Sequence, residues 1–88
     1  MYSEETRESY QGLVDDFAEE MDGIAKYMEY HDNAKSDAEK EIYYEMAKDE
    51  YSHACALKMI IEDMGETVPA EHNSELMKYV ERFGPFQL

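Results

Sequence analysis

The chain has no tryptophan, one cysteine, two prolines and four glycines in 88 residues. Basic residues are also scarce: eight Lys and Arg stand against 22 Asp and Glu, for a net charge of −14. The lone cysteine, Cys55, cannot close an internal disulfide, which predicts a reduced, cytoplasmic protein. A field of that sign repels phosphate backbones, so nucleic acid is excluded as a partner, while cations are drawn in. No apolar run approaches the roughly 20 residues of a membrane span. The start, Met1-Tyr-Ser-Glu-Glu, has neither the basic segment nor the apolar stretch of a signal peptide, so no export and no membrane contact are expected. The strongly apolar residues are few too: four Leu, four Ile, three Val and three Phe are about 16% of the chain, a share that goes with disorder at this charge.

What is there offsets that shortage. Eight Tyr, seven Met and eight Ala raise the apolar share to 43%, and all three types suit helices. Eighty-eight residues make one small domain, 1–88, whose core a second chain could complete.

Two long helical patterns and a short third one cover nearly the whole chain. In the first, about 4–32, Tyr10, Val14, Phe17, Met21, Ile24, Met28 and His31 recur at alternating steps of four and three, and Leu13 and Tyr27 widen the stripe. Ser3 can cap its start, with Glu4 and Glu5 in the first turn, where the helix dipole favours anions. Gly12 and Gly23 are poor helix formers, explained either by a close helix contact or by simple tolerance. The break falls in His31-Asp-Asn-Ala-Lys-Ser-Asp37. Ser36-Asp-Ala-Glu39 then reads as a capping box that opens a second helix, about 37–64, stopped by Gly65. Its stripe is Ile42, Tyr43, Met46, Ala47, Ala54, Leu57, Ile60, Ile61 and Met64. Pro69 lies in the connection, and Leu76, Met77 and Val80 predict a short helix, about 70–82, that ends before Gly84-Pro85. The fold class is therefore all-α: an antiparallel two-helix hairpin plus a short C-terminal helix, which alone is half a bundle.

The informative residues interrupt the stripes. Glu20 shares a face with Phe17, Ile24 and Tyr27; Glu50 lies between Met46, Ala47 and Ala54; His53 lies between Met46, Leu57 and Ile60. Glu19 sits instead among Asp15, Asp16, Asp22 and Gly23, an ordinary solvated face, and Glu45 and Asp49 point outward. If the chain reverses near Lys35, position 20 mirrors position 50, so all three polar groups stand roughly 22–27 Å along the helices from the turn. An unpaired carboxylate among apolar neighbours is costly or titrates to neutrality, so two carboxylates beside one imidazole ask for a cation. Glu50 and His53, three residues apart, can chelate one ion. With 15 Glu and three His, about half of one such Glu-x-x-His pair arises by chance, so the spacing alone is weak; the matched height and the stripe position are separate requirements. One carboxylate helix and one Glu-x-x-His helix form half of the di-iron carboxylate set. A two-fold homodimer would complete both the ligand set and the core, giving a four-helix bundle. Such oxygen-rich ligands suit iron or manganese better than zinc or copper.

Other candidates are weaker. His31 reads as a helix-end residue and His72 as part of the start of the third segment. Cys55 lies off the main stripe with nothing to activate it. Tyr27, on the face of Glu20, can hydrogen-bond a ligand; Tyr30, Tyr43, Tyr44 and Tyr51 read as packing or interface residues. The pair Glu19 and Asp22 is a solvated face or a weak cation site.

The segments Glu20-Met-Asp-Gly-Ile-Ala-Lys-Tyr27 and Ala47-Lys-Asp-Glu50-Tyr-Ser-His53-Ala54 resemble the ferritin-like superfamily, rubrerythrin and above all the encapsulated ferritins. The likeness extends through His72, Leu76, Tyr79 and Gly84-Pro85. It implies a ferroxidase centre at a dimer interface, with dimers assembled into a larger ring. Glu50 would bridge two irons, Glu20 and His53 would be terminal ligands, Tyr27 would support them by a hydrogen bond, and Glu19 and Asp22 would be accessory metal carboxylates. The resemblance further implies oxidation of Fe(II) by dioxygen or peroxide, with Fe(III) passed to a surrounding encapsulin shell for storage. Cargo members of that family carry a C-terminal docking tail, and none is read in Phe86-Gln-Leu88. Two rival readings follow from the same residues: an acidic helical interaction module that mimics nucleic-acid charge and needs no metal, and a rubrerythrin-like peroxide-reducing protein. A rubredoxin-like Cys-x-x-Cys pair, which would feed electrons to the latter, is not read here.

Overall fold

Where apolar residues recur at steps of three and four, the backbone is helical. The computed structural model describes residues 4–85, with α1 over Glu4–Asn33, α2 over Asp37–Asp63 and α3 over Ala70–Phe83, and no strand among the described residues. Ser3, read as the cap of α1, lies outside them. Ser36 opens α2 in extended backbone, and its Oγ accepts the Glu39 N–H at 3.1 Å, which satisfies one of the free donors of the first turn. Gly65 closes α2. Its φ of +83° lets its own N–H reach the Glu62 carbonyl at 2.9 Å while the Glu66 N–H reaches Ile61 at 3.2 Å, the paired closure of a Schellman motif.

α1 and α2 lie antiparallel, in a body measuring 52 × 21 × 20 Å. Val14, Phe17, Met21, Ile24 and Met28 of α1 are buried against Ala47, Ala54 and Ile61 of α2. Phe17, Ile24 and Ile61 are wholly enclosed, each side chain contributing on the order of 2 kcal/mol. Tyr10 ties the connection to α1, its hydroxyl donating to the Thr67 carbonyl at 3.0 Å.

α2 departs from its sequence reading on both flanks. Ile42, Met46 and Ile60, placed on the core stripe, are 59, 37 and 49% exposed. They lie on the side of α2 that α1 does not cover. Cys55, placed off the stripe, is buried together with Tyr51, because α3 returns along the opposite flank. The Tyr51 hydroxyl donates to the Gly84 carbonyl at 2.6 Å, and the Phe83 ring lies 5.2 Å from both Tyr51 and Tyr44. Lys58 Nζ adds a bond to Asn73 Oδ1 at 2.7 Å. Leu76 is the buried anchor of α3, whereas Met77, read as its apolar neighbour, is half exposed.

Candidate metal centre

The hairpin brings α1 and α2 together so that Glu20 faces both Glu50 and His53. His53 Nδ1 lies 3.5 Å from Glu20 Oε2 and 4.0 Å from Glu50 Oε1. One ligand atom from each residue falls within 4.8 Å of the others, and among the described residues this is the one such group of three or more His, Cys, Asp or Glu side chains. The two carboxylates are partly buried, and the imidazole is 61% exposed on the uncovered flank.

Glu20 Oε2 has no accessible surface to speak of and no hydrogen-bond partner. The imidazole nitrogen, at 3.5 Å, is beyond effective hydrogen-bonding range. Burial, reinforced by the neighbouring Glu50 carboxylate and opposed by His53, pushes Glu20 up to about 7. A carboxylate oxygen in that position has only the imidazole, 3.5 Å away, to offset its charge. A cation between Glu20, Glu50 and His53 would supply a positive partner, and two carboxylates with one imidazole are a donor set that suits iron or manganese.

Gly23 gives Glu50 its place. A Cβ at position 23 would lie 2.7 Å from Glu50 Oε2 and 3.3 Å from its Cδ and Cγ, so the carboxylate occupies the space where α1 has no side chain. The sequence groups Gly23 with the solvated Glu19 face and leaves a close helix contact or tolerance to explain it; the close contact holds, since position 23 turns toward α2. The available signal was a glycine in a helix interior one turn beyond Glu20. Gly12, in contrast, faces open space, so tolerance explains it.

Two clefts flank the group, each of about 310 Å³. Glu19, Asp22, Lys26 and Tyr27 line one with Gly23 and Glu50; Asp16, Leu57 and Ile60 line the other with His53. Glu19 and Asp22 are thus exposed residues at the rim, outside the group of three ligand atoms. Tyr27 borders the first cleft, its ring 6.2 Å from that of Tyr30 and 4.7 Å from the Lys26 ammonium. Among the described residues no hydrogen bond links its hydroxyl to Glu20 or Glu50. Lys26, a cation among these acids, was missed in the sequence although it follows Asp22 by one helical turn.

The remaining histidines and the cysteine lie elsewhere. His31 pairs with Asp32 at 2.9 Å, and His72 packs 6.2 Å from the Phe17 ring. Cys55 is held as a thiol, its pKa raised by burial.

A helical hairpin that presents one carboxylate helix opposite one Glu-x-x-His helix defines a protein of the ferritin-like class. The rubrerythrin family model matches residues 12–86, and the chain belongs to that family. Membership makes it a ferritin-like protein of a kind that binds iron and, in general, acts as a di-iron oxidoreductase. No curated protein and no solved structure gave a match. No helix of the described residues is long and apolar enough to cross a membrane. The residues present fit the metal the family implies: the unpartnered Glu20 oxygen, the space left by Gly23 and the carboxylate–imidazole donors all favour a divalent cation.

Proposed function

We propose that the protein is a ferroxidase whose site forms between two copies of this chain. The observation that carries the reading is the enclosed, unpartnered Glu20 oxygen beside Glu50 and His53. One chain offers two carboxylates and one imidazole, too few to surround a pair of ions. A second copy related by a two-fold axis doubles them to four carboxylates and two imidazoles. The exposed Ile42, Met46 and Ile60 line the same flank as His53, so one contact would cover the apolar strip and complete the ligand set.

In this reading Glu20, Glu50 and His53 hold the iron, with Glu50 placed to bridge. Fe(II) is the substrate: two ions give up one electron each, and dioxygen takes both electrons with two protons to become hydrogen peroxide. The carboxylates favour the higher charge of the Fe(III) product. Glu20 carries a proton near neutral pH and releases it as iron arrives. Glu19 and Asp22 border the approach and raise the local Fe(II) concentration as accessory carboxylates, and Tyr27 stands in the same cleft wall, where its hydroxyl is available to bond a ligand once iron is bound. Manganese is the alternative ion. Assembly of dimers into a ring and delivery of Fe(III) to an encapsulin shell are the setting that the likeness to encapsulated ferritins suggests.

An anaerobic Fe(II) titration of the purified chain, followed by air and monitored by absorbance and native mass, tests this. The expected result is two irons per dimer and a fast ferric rise, with Glu50→Ala and His53→Ala each slowing oxidation at least 100-fold while far-UV helicity is kept. Unchanged rates in both variants would overturn the site assignment. Absence of tight iron would favour an acidic interaction module, whose charge and not its core carries the function. Family membership favours one second reading, reduction of peroxide, and a much faster ferric rise with peroxide than with dioxygen would select it.

A further inference from the structure

We propose that Gly23 is a positioning residue: by leaving α1 without a side chain, it seats the Glu50 carboxylate so that its two oxygens serve two cations instead of one. The inference rests on the metal reading above. Glu50 Oε1 faces His53 Nδ1 at 4.0 Å, and Oε2 lies 2.7 Å from where a Cβ of residue 23 would stand. The two oxygens therefore have different neighbours. Oε1 is the oxygen beside His53, whereas Oε2 lies against Gly23, which with Glu20 and Glu50 lines the cleft of Glu19, Asp22, Lys26 and Tyr27. A carboxylate held in this way can give one oxygen to each of two ions.

No real Cβ sits 2.7 Å from an oxygen, so an alanine at position 23 forces movement. What moves is the end of a flexible side chain, not backbone, so the helices stay and the carboxylate swings off α1. The same helix contains its own control. Gly12 has nothing within 4 Å of its missing Cβ, so an alanine there changes helix propensity and nothing else.

The test compares the full-length wild type with Gly23→Ala and Gly12→Ala, using Mn(II) alone as the probe under anaerobic conditions. Melting temperature should hold or rise in both variants, since alanine is the better helix former. Wild type and Gly12→Ala are expected to bind Mn(II) as an exchange-coupled pair by electron paramagnetic resonance. Gly23→Ala is expected to bind the second ion at least tenfold more weakly and to give the six-line signal of isolated Mn(II). A fold-maintaining role for Gly23 would lower melting temperature and leave the spectrum coupled, which overturns the proposal, as does a Gly23→Ala protein with wild-type affinity and coupling. The metal-free protein separates this failure from that of the metal reading. The carboxyl carbon resonance of Glu50 should shift in Gly23→Ala and not in Gly12→Ala, and an unshifted resonance removes the seat. Wild type that binds no Mn(II), with the shift present, overturns the metal reading and with it the two-cation role, while the seat stands.

Discussion

At Glu20, burial and the Glu50 carboxylate act in the same direction, and the result is a pH dependence of definite sign. The ordinary value of this carboxyl is 4.5, and in the folded, metal-free chain it rises to about 7. Between those values the folded state holds a proton that the unfolded state has lost, so stability falls as pH rises through that window. The loss is complete above about pH 7 and is on the order of 3 kcal/mol at most. Metal-free protein should therefore melt at a higher temperature at pH 5 than at pH 8. Glu20→Gln should remove most of that difference when measured by circular dichroism in salt, which screens the general repulsion of a −14 chain. Bound metal reverses the sign: it needs the ionised carboxylate, so affinity should drop about tenfold per pH unit below 7, with protons released on binding. An equal melting difference in Glu20→Gln would place the titrating group elsewhere. The three polar residues were legible in the sequence because each broke an apolar period at a matched distance from the turn. For Gly23 the sequence left a close contact and simple tolerance both open, because only the packed hairpin shows which atom fills the space beside a glycine.

Among the elements, α2 does the most varied work. One side packs on α1, one flank takes α3 and the other carries His53 among Ile42, Met46 and Ile60. Periodicity located the helix and its first side, and Tyr51 packs as read, while Cys55 was assigned to the wrong environment. A 3.6-residue period reveals that apolar residues share a stripe, but not which of two adjacent stripes a short third helix will cover. That cover has two polar fastenings among the described residues, Lys58 Nζ on Asn73 Oδ1 and the Tyr51 hydroxyl on the Gly84 carbonyl; enclosure pushes the Tyr51 phenol up to about 12. Tyr51→Phe keeps the ring and removes the donor, so it should cost about 1 kcal/mol. Hydrogen exchange should report it as faster opening of residues 70–83, with α1 and the first half of α2 unchanged. Uniform acceleration along the whole chain would mean that α3 opens only with the hairpin.

For the whole molecule, the question is what lies on the bare flank. A −14 chain repels its own copies at long range, so the proposed dimer would have to be held by short-range apolar burial and a shared cation at its centre. Ile60→Glu tests this balance. The side chain is 49% exposed in the single chain, so the fold should tolerate the change within about 0.5 kcal/mol. A dimer would instead bury two added carboxylates, and its native mass should fall to that of the monomer with loss of iron oxidation. A dimer that persists in Ile60→Glu would put the contact on another face. Raised salt should strengthen the proposed dimer by screening the repulsion.

By itself the sequence determined that the chain is helical, where its helices begin and end, that Glu20, Glu50 and His53 stand level, and that the surface draws cations. These follow from local rules of spacing, capping and charge, which neighbouring residues settle among themselves. Only the tertiary structure decided that Glu20 Oε2 is enclosed without a partner, that Gly23 opens the space Glu50 fills, and that α3 buries Cys55 and leaves Ile60 bare. Those are facts about distances between segments far apart in the chain, and no local pattern encodes such a distance until the helices pack.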